Sequence, residues 1–104
     1  MNLKTQSKKP KVIFIDVDDT LIRTVGTKRI PIPHVIAEVK RLSQLGHQLF
    51  CWSSGGAEYS REVAEELGLQ NYFENYLSKP QLLIDDQHPS DWRYLEVKHP
   101  NEVG

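Results

Sequence analysis

The sequence predicts an α/β protein in which a parallel sheet of about four to five strands lies between helices in three layers. Three observations carry that prediction. Continuous apolar runs rich in β-branched residues alternate with stretches whose apolar residues recur at helical spacing. The runs close on polar clusters and the helical stretches close on glycines, so the chain reads as strand, helix, strand, helix, strand, the order that builds parallel sheets with right-handed crossovers. The 104 residues suffice for one modest core and are too few for two.

The elements follow in order. Residues 1–10 read as a basic, flexible leader, and residues 11–104 as one domain. Residues 11–16, ending in "VIFID", form an apolar run of the kind found in strands covered on both faces. The stretch "RTVGTKRIPIP" carries a glycine and two prolines and predicts a short hairpin or flap. Pro33 suits the first turn of a helix, and Val35, Ile36, Val39, Leu42 and Leu45 recur at helical spacing until Gly46. "HQLFCWSS" is the second buried strand. Ser54, Gly55 and Gly56 lead into an amphipathic helix over 57–67, with Tyr59, Val63, Ala64 and Leu67 facing the sheet and Gly68 ending it. "NYFENYLS" then holds a third strand, "QLLIDD" a fourth, and "WRYLEV" an edge strand. The layout is Rossmann-like, with no internal repeat.

Composition narrows the function classes. Thirteen basic and fourteen acidic residues leave no global field toward nucleic acid or membrane, so any such partner must be met by a local patch. Lys4, Lys8, Lys9 and Lys11 could make weak phosphate contacts, although a solvated arm is the simpler reading. The single cysteine, Cys51, lies within "LFCW" as a small core residue, which fits a reducing compartment. Only four apolar residues follow the basic leader before Asp16, too few for a signal segment or a membrane span. A cytoplasmic protein without a membrane partner is expected.

The layout brings the polar clusters into register. Asp16 and Asp18 follow the first strand, Ser53 and Ser54 the second, Lys79 the third, and Asp85 and Asp86 the fourth. In open parallel sheets ligands bind at that carboxyl edge, so these residues should converge on one crevice. Asp16, Asp18 and Asp19 directly after four apolar residues also demand a nearby positive charge, because burying an uncompensated carboxylate is costly.

"DVDDT" behind its apolar run resembles the first motif, Asp-x-Asp-x-Thr, of the haloacid dehalogenase-like superfamily. The later serine, lysine and acid pair resemble its other motifs in the same order, over roughly residues 12–86. An EF-hand is rejected, since Leu21 stands where its glycine must be and no glutamate fills its last position.

The resemblance implies a phosphomonoester hydrolase of the minimal type, in which Asp16 attacks phosphorus and forms an aspartyl-phosphate. Asp18 is then the general acid and base, and Lys79 neutralises nucleophile and phosphate. Ser53, or Ser54 beside it, would bind a phosphoryl oxygen. Thr20 is a further candidate for substrate binding, with bonding to loop backbone its expected task. Mg²⁺ is the implied cofactor, with Asp16, Asp18, Asp85 and Asp86 as candidate metal residues. The chemistry explains the need for cations: a carboxylate attacking a phosphate dianion meets two unit repulsions at about 4 Å, roughly 8 kcal/mol at an effective dielectric of ~20. Unrelieved, that repulsion slows the reaction about a millionfold.

Asp19 has no required role in this scheme and reads as a solvated acid. The four histidines have no metal-ligand spacing and read as surface or capping residues, and Trp52 and Trp92 as packing residues. Only 31 residues separate Thr20 from Trp52, leaving no room for a cap domain there. The crevice should therefore be open. Its substrate is then either large, such as a phosphoprotein or a phosphorylated nucleic-acid end, or a small phosphate covered by a neighbouring subunit of a homo-oligomer. Arg23, Lys28 and Arg29 in the flap could contact a second phosphate. The competing class is a non-catalytic module that binds Mg²⁺ or phosphate, or a phosphotransferase of the same fold. A receiver-type domain is disfavoured because its acid pair should follow the first strand rather than the fourth.

Overall fold

The computed structural model describes residues 9–104. The expected leader lies mostly outside the described residues, as do Lys4 and Lys8. Five strands and two α-helices follow in the order β1 (Val12–Asp16), β2 (Ile22–Val25), β3 (Lys28–Pro31), α1 (Pro33–Gln44), β4 (Gln48–Ser53), α2 (Ala57–Glu66) and β5 (Asn75–Ser78). Strands β1, β4 and β5 form a three-stranded parallel sheet in that spatial order, and β2 and β3 pair as a separate antiparallel hairpin.

The helices start and stop where the chain chemistry dictates. Pro33 opens α1, where a missing N–H costs nothing, and α1 closes with Gly46 N–H bonded to the Ser43 carbonyl. Helix α2 begins after Gly56, whose φ of 110° lies in a region that a side chain would oppose. The first N–H of α2, at Ala57, donates to the Ser78 hydroxyl 3.0 Å away on β5, so the end of one strand caps the helix that leads to it.

Both crossovers advance in the same direction, β1 to β4 to β5, and right-handed connections that do so put their helices on one face. Ile15, Leu49 and Cys51 on that face share one core with Val35 and Val39 of α1 and Val63 and Ala64 of α2. Alternation turns Phe14, Phe50 and Trp52 to the opposite face, where Phe14 contacts both other rings and is 44% exposed. The architecture is thus two-layered.

This corrects the expected three-layer sandwich with four to five strands. Residues 81–86 and 92–97 form no strand in the described structure. Leu82, Leu83 and Ile84 stand exposed, Ile84 at 90%. An apolar β-branched run supplies the propensity for a strand, but a strand exists only when an edge pairs with it. After this excursion the chain returns to α1, where His34 Nε2 donates to the Pro100 carbonyl at 3.0 Å. No helix among the described residues is long and apolar enough to cross a membrane.

Candidate functional site

The carboxyl edge of the parallel sheet gathers Asp16 from β1, the loop after Ser53 of β4, and Lys79 directly after β5. Register sets this up: Asp16 lies opposite Trp52, and Ser53 opposite Ser78, so the three strand ends are level. The Lys79 N–H donates to the Ser53 carbonyl at 2.9 Å, which turns the chain back over the edge. Its Nζ then reaches Asp16 Oδ1 at 3.0 Å, with both side chains about one-third exposed (34% and 32%). Lys79 Nζ also lies 5.8 Å from the centre of the Trp52 ring, an aromatic face that favours a cation. The positive charge demanded by the acids after β1 is therefore Lys79.

The second oxygen of Asp16 accepts a hydrogen bond from the Thr20 hydroxyl at 3.2 Å. Thr20 was expected to bond to loop backbone; its side chain instead reaches Asp16, while the backbone closes the loop by itself. Three successive N–H groups, at Thr20, Leu21 and Ile22, converge on the Val17 carbonyl, and the Asp19 N–H donates to the Ile22 carbonyl at 2.7 Å. Asp19 has a φ of 60°, a conformation that aspartate tolerates better than most residues. Its side chain is exposed, as a solvated acid would be.

Asp18 is exposed at the same edge, and its Oδ1 accepts a hydrogen bond from the Tyr59 hydroxyl at 2.7 Å. Burial and the Asp18 carboxylate push the Tyr59 phenol up to about 12, so it stays a donor at neutral pH. The two serines divide. Ser53 is 1% exposed and its hydroxyl oxygen accepts the Gly55 N–H at 2.9 Å, which makes it a loop-forming residue. Ser54 is exposed, so its hydroxyl is the one open to a ligand.

Asp85 and Asp86 do not join this cluster. Both are exposed in the strandless segment, where Asp85 Oδ1 accepts the Gln87 N–H at 2.9 Å. Among the described residues no three His, Cys, Asp or Glu side chains are grouped to hold a metal ion, so the expected four-acid set is not assembled. Arg29, a candidate for a second phosphate, is committed elsewhere: it pairs with Glu62 at 2.8 Å and Glu66 at 3.1 Å. Arg23 and Lys28 are exposed on the hairpin. His47, His88 and His99 each accept a backbone N–H, in line with capping roles.

Burial pushes the Cys51 thiol up to about 12, with Asp16 adding to the effect, so the thiol holds its proton near neutral pH. Sequence reasoning missed two residues of the edge, Tyr59 and Ser78. At helical spacing a tyrosine reads as core, and a serine closing a strand carries no signal of the cap it provides.

The fold and site define an α/β protein with a lysine-paired aspartate at the carboxyl edge of a parallel sheet. A family model described as "Protein of unknown function (DUF705)" matches residues 1–97, and the chain belongs to that family. This overturns the haloacid dehalogenase-like assignment: the family match covers nearly the whole chain, and no model of that superfamily matches. The resemblance rested on one five-residue motif and three short clusters, one of which does not reach the site. No curated protein and no solved structure matches the chain.

Proposed function

We propose that this protein is a phosphomonoester hydrolase working through an aspartyl-phosphate on Asp16. The supporting observation is the Asp16 carboxylate at the carboxyl sheet edge, 3.0 Å from Lys79 Nζ and 3.2 Å from the Thr20 hydroxyl. An entering phosphate dianion competes for Lys79 and releases an Asp16 oxygen, which attacks phosphorus. The ester P–O bond breaks and the departing oxygen takes a proton from Asp18. Asp18 then deprotonates water, which attacks the phosphorus and returns inorganic phosphate and the Asp16 carboxylate. Ser54 donates to a phosphoryl oxygen, and Ser53 shapes the loop beneath it.

Mg²⁺ remains the proposed cofactor, supplying further positive charge against the phosphate when bound. Asp16 offers a hard oxygen donor to such an ion, whereas Asp18, bonded to Tyr59 and needed as the proton carrier, does not, and the described residues do not complete a ligand set. A fourth parallel strand, giving a Rossmann-like sheet, belongs to this proposal. Strand β1 is an edge strand, and pairing of residues 81–86 along it would bring Asp85 and Asp86 toward Asp16. The open edge favours a large phosphorylated substrate over an enclosed metabolite, and a cytoplasmic location completes the reading.

The test is phosphate release from an aryl phosphate by purified protein, with Mg²⁺ and with chelator. Metal-dependent turnover that Asp16→Asn abolishes is expected, whereas full activity in that variant overturns the mechanism. A second reading, a phosphate-binding regulatory module, is favoured by the incomplete metal set. It predicts a single phosphorylation from a small phosphodonor without sustained release.

A further inference from the structure

Asp18 lies on an exposed turn, where a short acid would ordinarily sample several rotamers, yet proton transfer needs it in one. The structure supplies a restraint from a different element. Tyr59 lies in the first turn of α2 and its hydroxyl donates to Asp18 Oδ1 at 2.7 Å, the usual length for an O–H bond to an acidic oxygen. This contact leaves Oδ2 as the oxygen able to carry a proton and give it up.

Two further features fix the ring itself. The first is the glycine at position 55: a Cβ there would lie 2.9 Å from Tyr59 Cδ2 and 3.3 Å from Ser53 Oγ. The loop leaving β4 therefore gives up a side chain where the ring passes. The second is Arg29 of β3, whose guanidinium lies 5.2 Å from the Tyr59 ring centre while pairing with Glu62 and Glu66. Positions 59, 62 and 66 share one face of α2, so the arginine runs along that face with the ring at its start. The hairpin that follows Asp18 is thereby clamped to the helix that holds Asp18.

Resting on the hydrolase reading above, we infer that Tyr59 is a positioning residue: its hydroxyl holds the Asp18 carboxyl oriented for proton delivery to the departing ester oxygen. Tyr59 does not touch the reacting atoms. Its contribution should therefore depend on how much the leaving group needs a proton. A nitrophenolate departs without one, while an alkoxide does not.

The test compares full-length wild type and Tyr59→Phe on p-nitrophenyl phosphate and on a simple alkyl phosphate. Phenylalanine keeps the ring against Gly55 and Arg29 and removes only the hydroxyl. The kcat on the alkyl ester should fall about 10- to 100-fold, the range for one hydrogen bond to a charged group. KM, and the single-turnover rate of nitrophenolate release, which precedes the attack of water, should stay within about threefold. Equal single-turnover losses in leaving-group release from both esters, or none on either, would overturn the inference. A denaturation double-mutant cycle between Tyr59→Phe and Asp18→Ala reads the contact without activity, and additive effects would reject it. Wild-type protein inactive on both esters, with non-additivity in that cycle, overturns the hydrolase reading while leaving the Tyr59–Asp18 contact standing.

Discussion

Replacing Lys79 by methionine removes the cation paired with Asp16 and keeps most of the side-chain volume. At 3.0 Å, a unit charge pair is worth about 5.5 kcal/mol at an effective dielectric of ~20 and about 1.4 kcal/mol at ~80. Both partners are about one-third exposed, so solvent screening puts the working value in the lower half of that range, about 2–3 kcal/mol. In the hydrolase scheme the same ammonium faces the incoming dianion, so its loss should lower kcat/KM by roughly 30- to 150-fold. Lys79→Arg keeps the charge and should recover part of the loss. The assay is steady-state release of phosphate from an aryl ester, at low and at high salt because the interaction is partly screened. A Lys79→Met protein that turns over at the wild-type rate, folded by circular dichroism, refutes the assignment of Lys79 as the compensating charge.

Further outcomes follow from burial. The Cys51 thiol is raised from 9 to about 12, so the folded state holds its proton where the unfolded state has lost it. Stability should therefore be fully present below about pH 9 and fall as pH rises toward about 12. Alkaline unfolding curves should be shallower in Cys51→Ala, and a thiol reagent should react with native protein only on unfolding. Ile84 is 90% exposed, so Ile84→Lys should leave the melting temperature within about 1 °C of wild type without metal. If residues 81–86 pair with β1 in the presence of Mg²⁺, the same substitution should lower the melting temperature only when the metal is added, and hydrogen exchange across 81–86 should slow in wild type alone.

The two periods of the sequence made most of the fold legible. Val35, Val39, Val63 and Ala64 fall at helical spacing and are buried as that spacing requires. The glycine and prolines of the flap do form a hairpin, β2–β3. Two features escaped. Leu82, Leu83 and Ile84 have the composition of a strand, but pairing is a long-range property that composition does not specify. The layer count depends on the direction in which successive crossovers advance, and nothing local in α1 or α2 encodes that. At the site, charge reasoning demanded a cation beside Asp16, and Lys79 supplies it. Tyr59 went unrecognised because its position fits the core face of α2; the adjacent Gly55 was the available sign of a ring passing close to the loop. The short motifs misled on ancestry, since few residues carried the resemblance and Asp85 and Asp86 lie away from the edge they were expected to complete.

In the proposed hydrolase, Asp16 carries the phosphoryl group. Rapid quenching of the protein with radiolabelled aryl or protein phosphate, followed by peptide mapping, tests it most directly. Near-stoichiometric label is expected on the peptide containing Asp16, released by hydroxylamine as an acyl phosphate is, and absent in Asp16→Asn. Sustained phosphate release without label on that peptide, or label retained in Asp16→Asn, contradicts it.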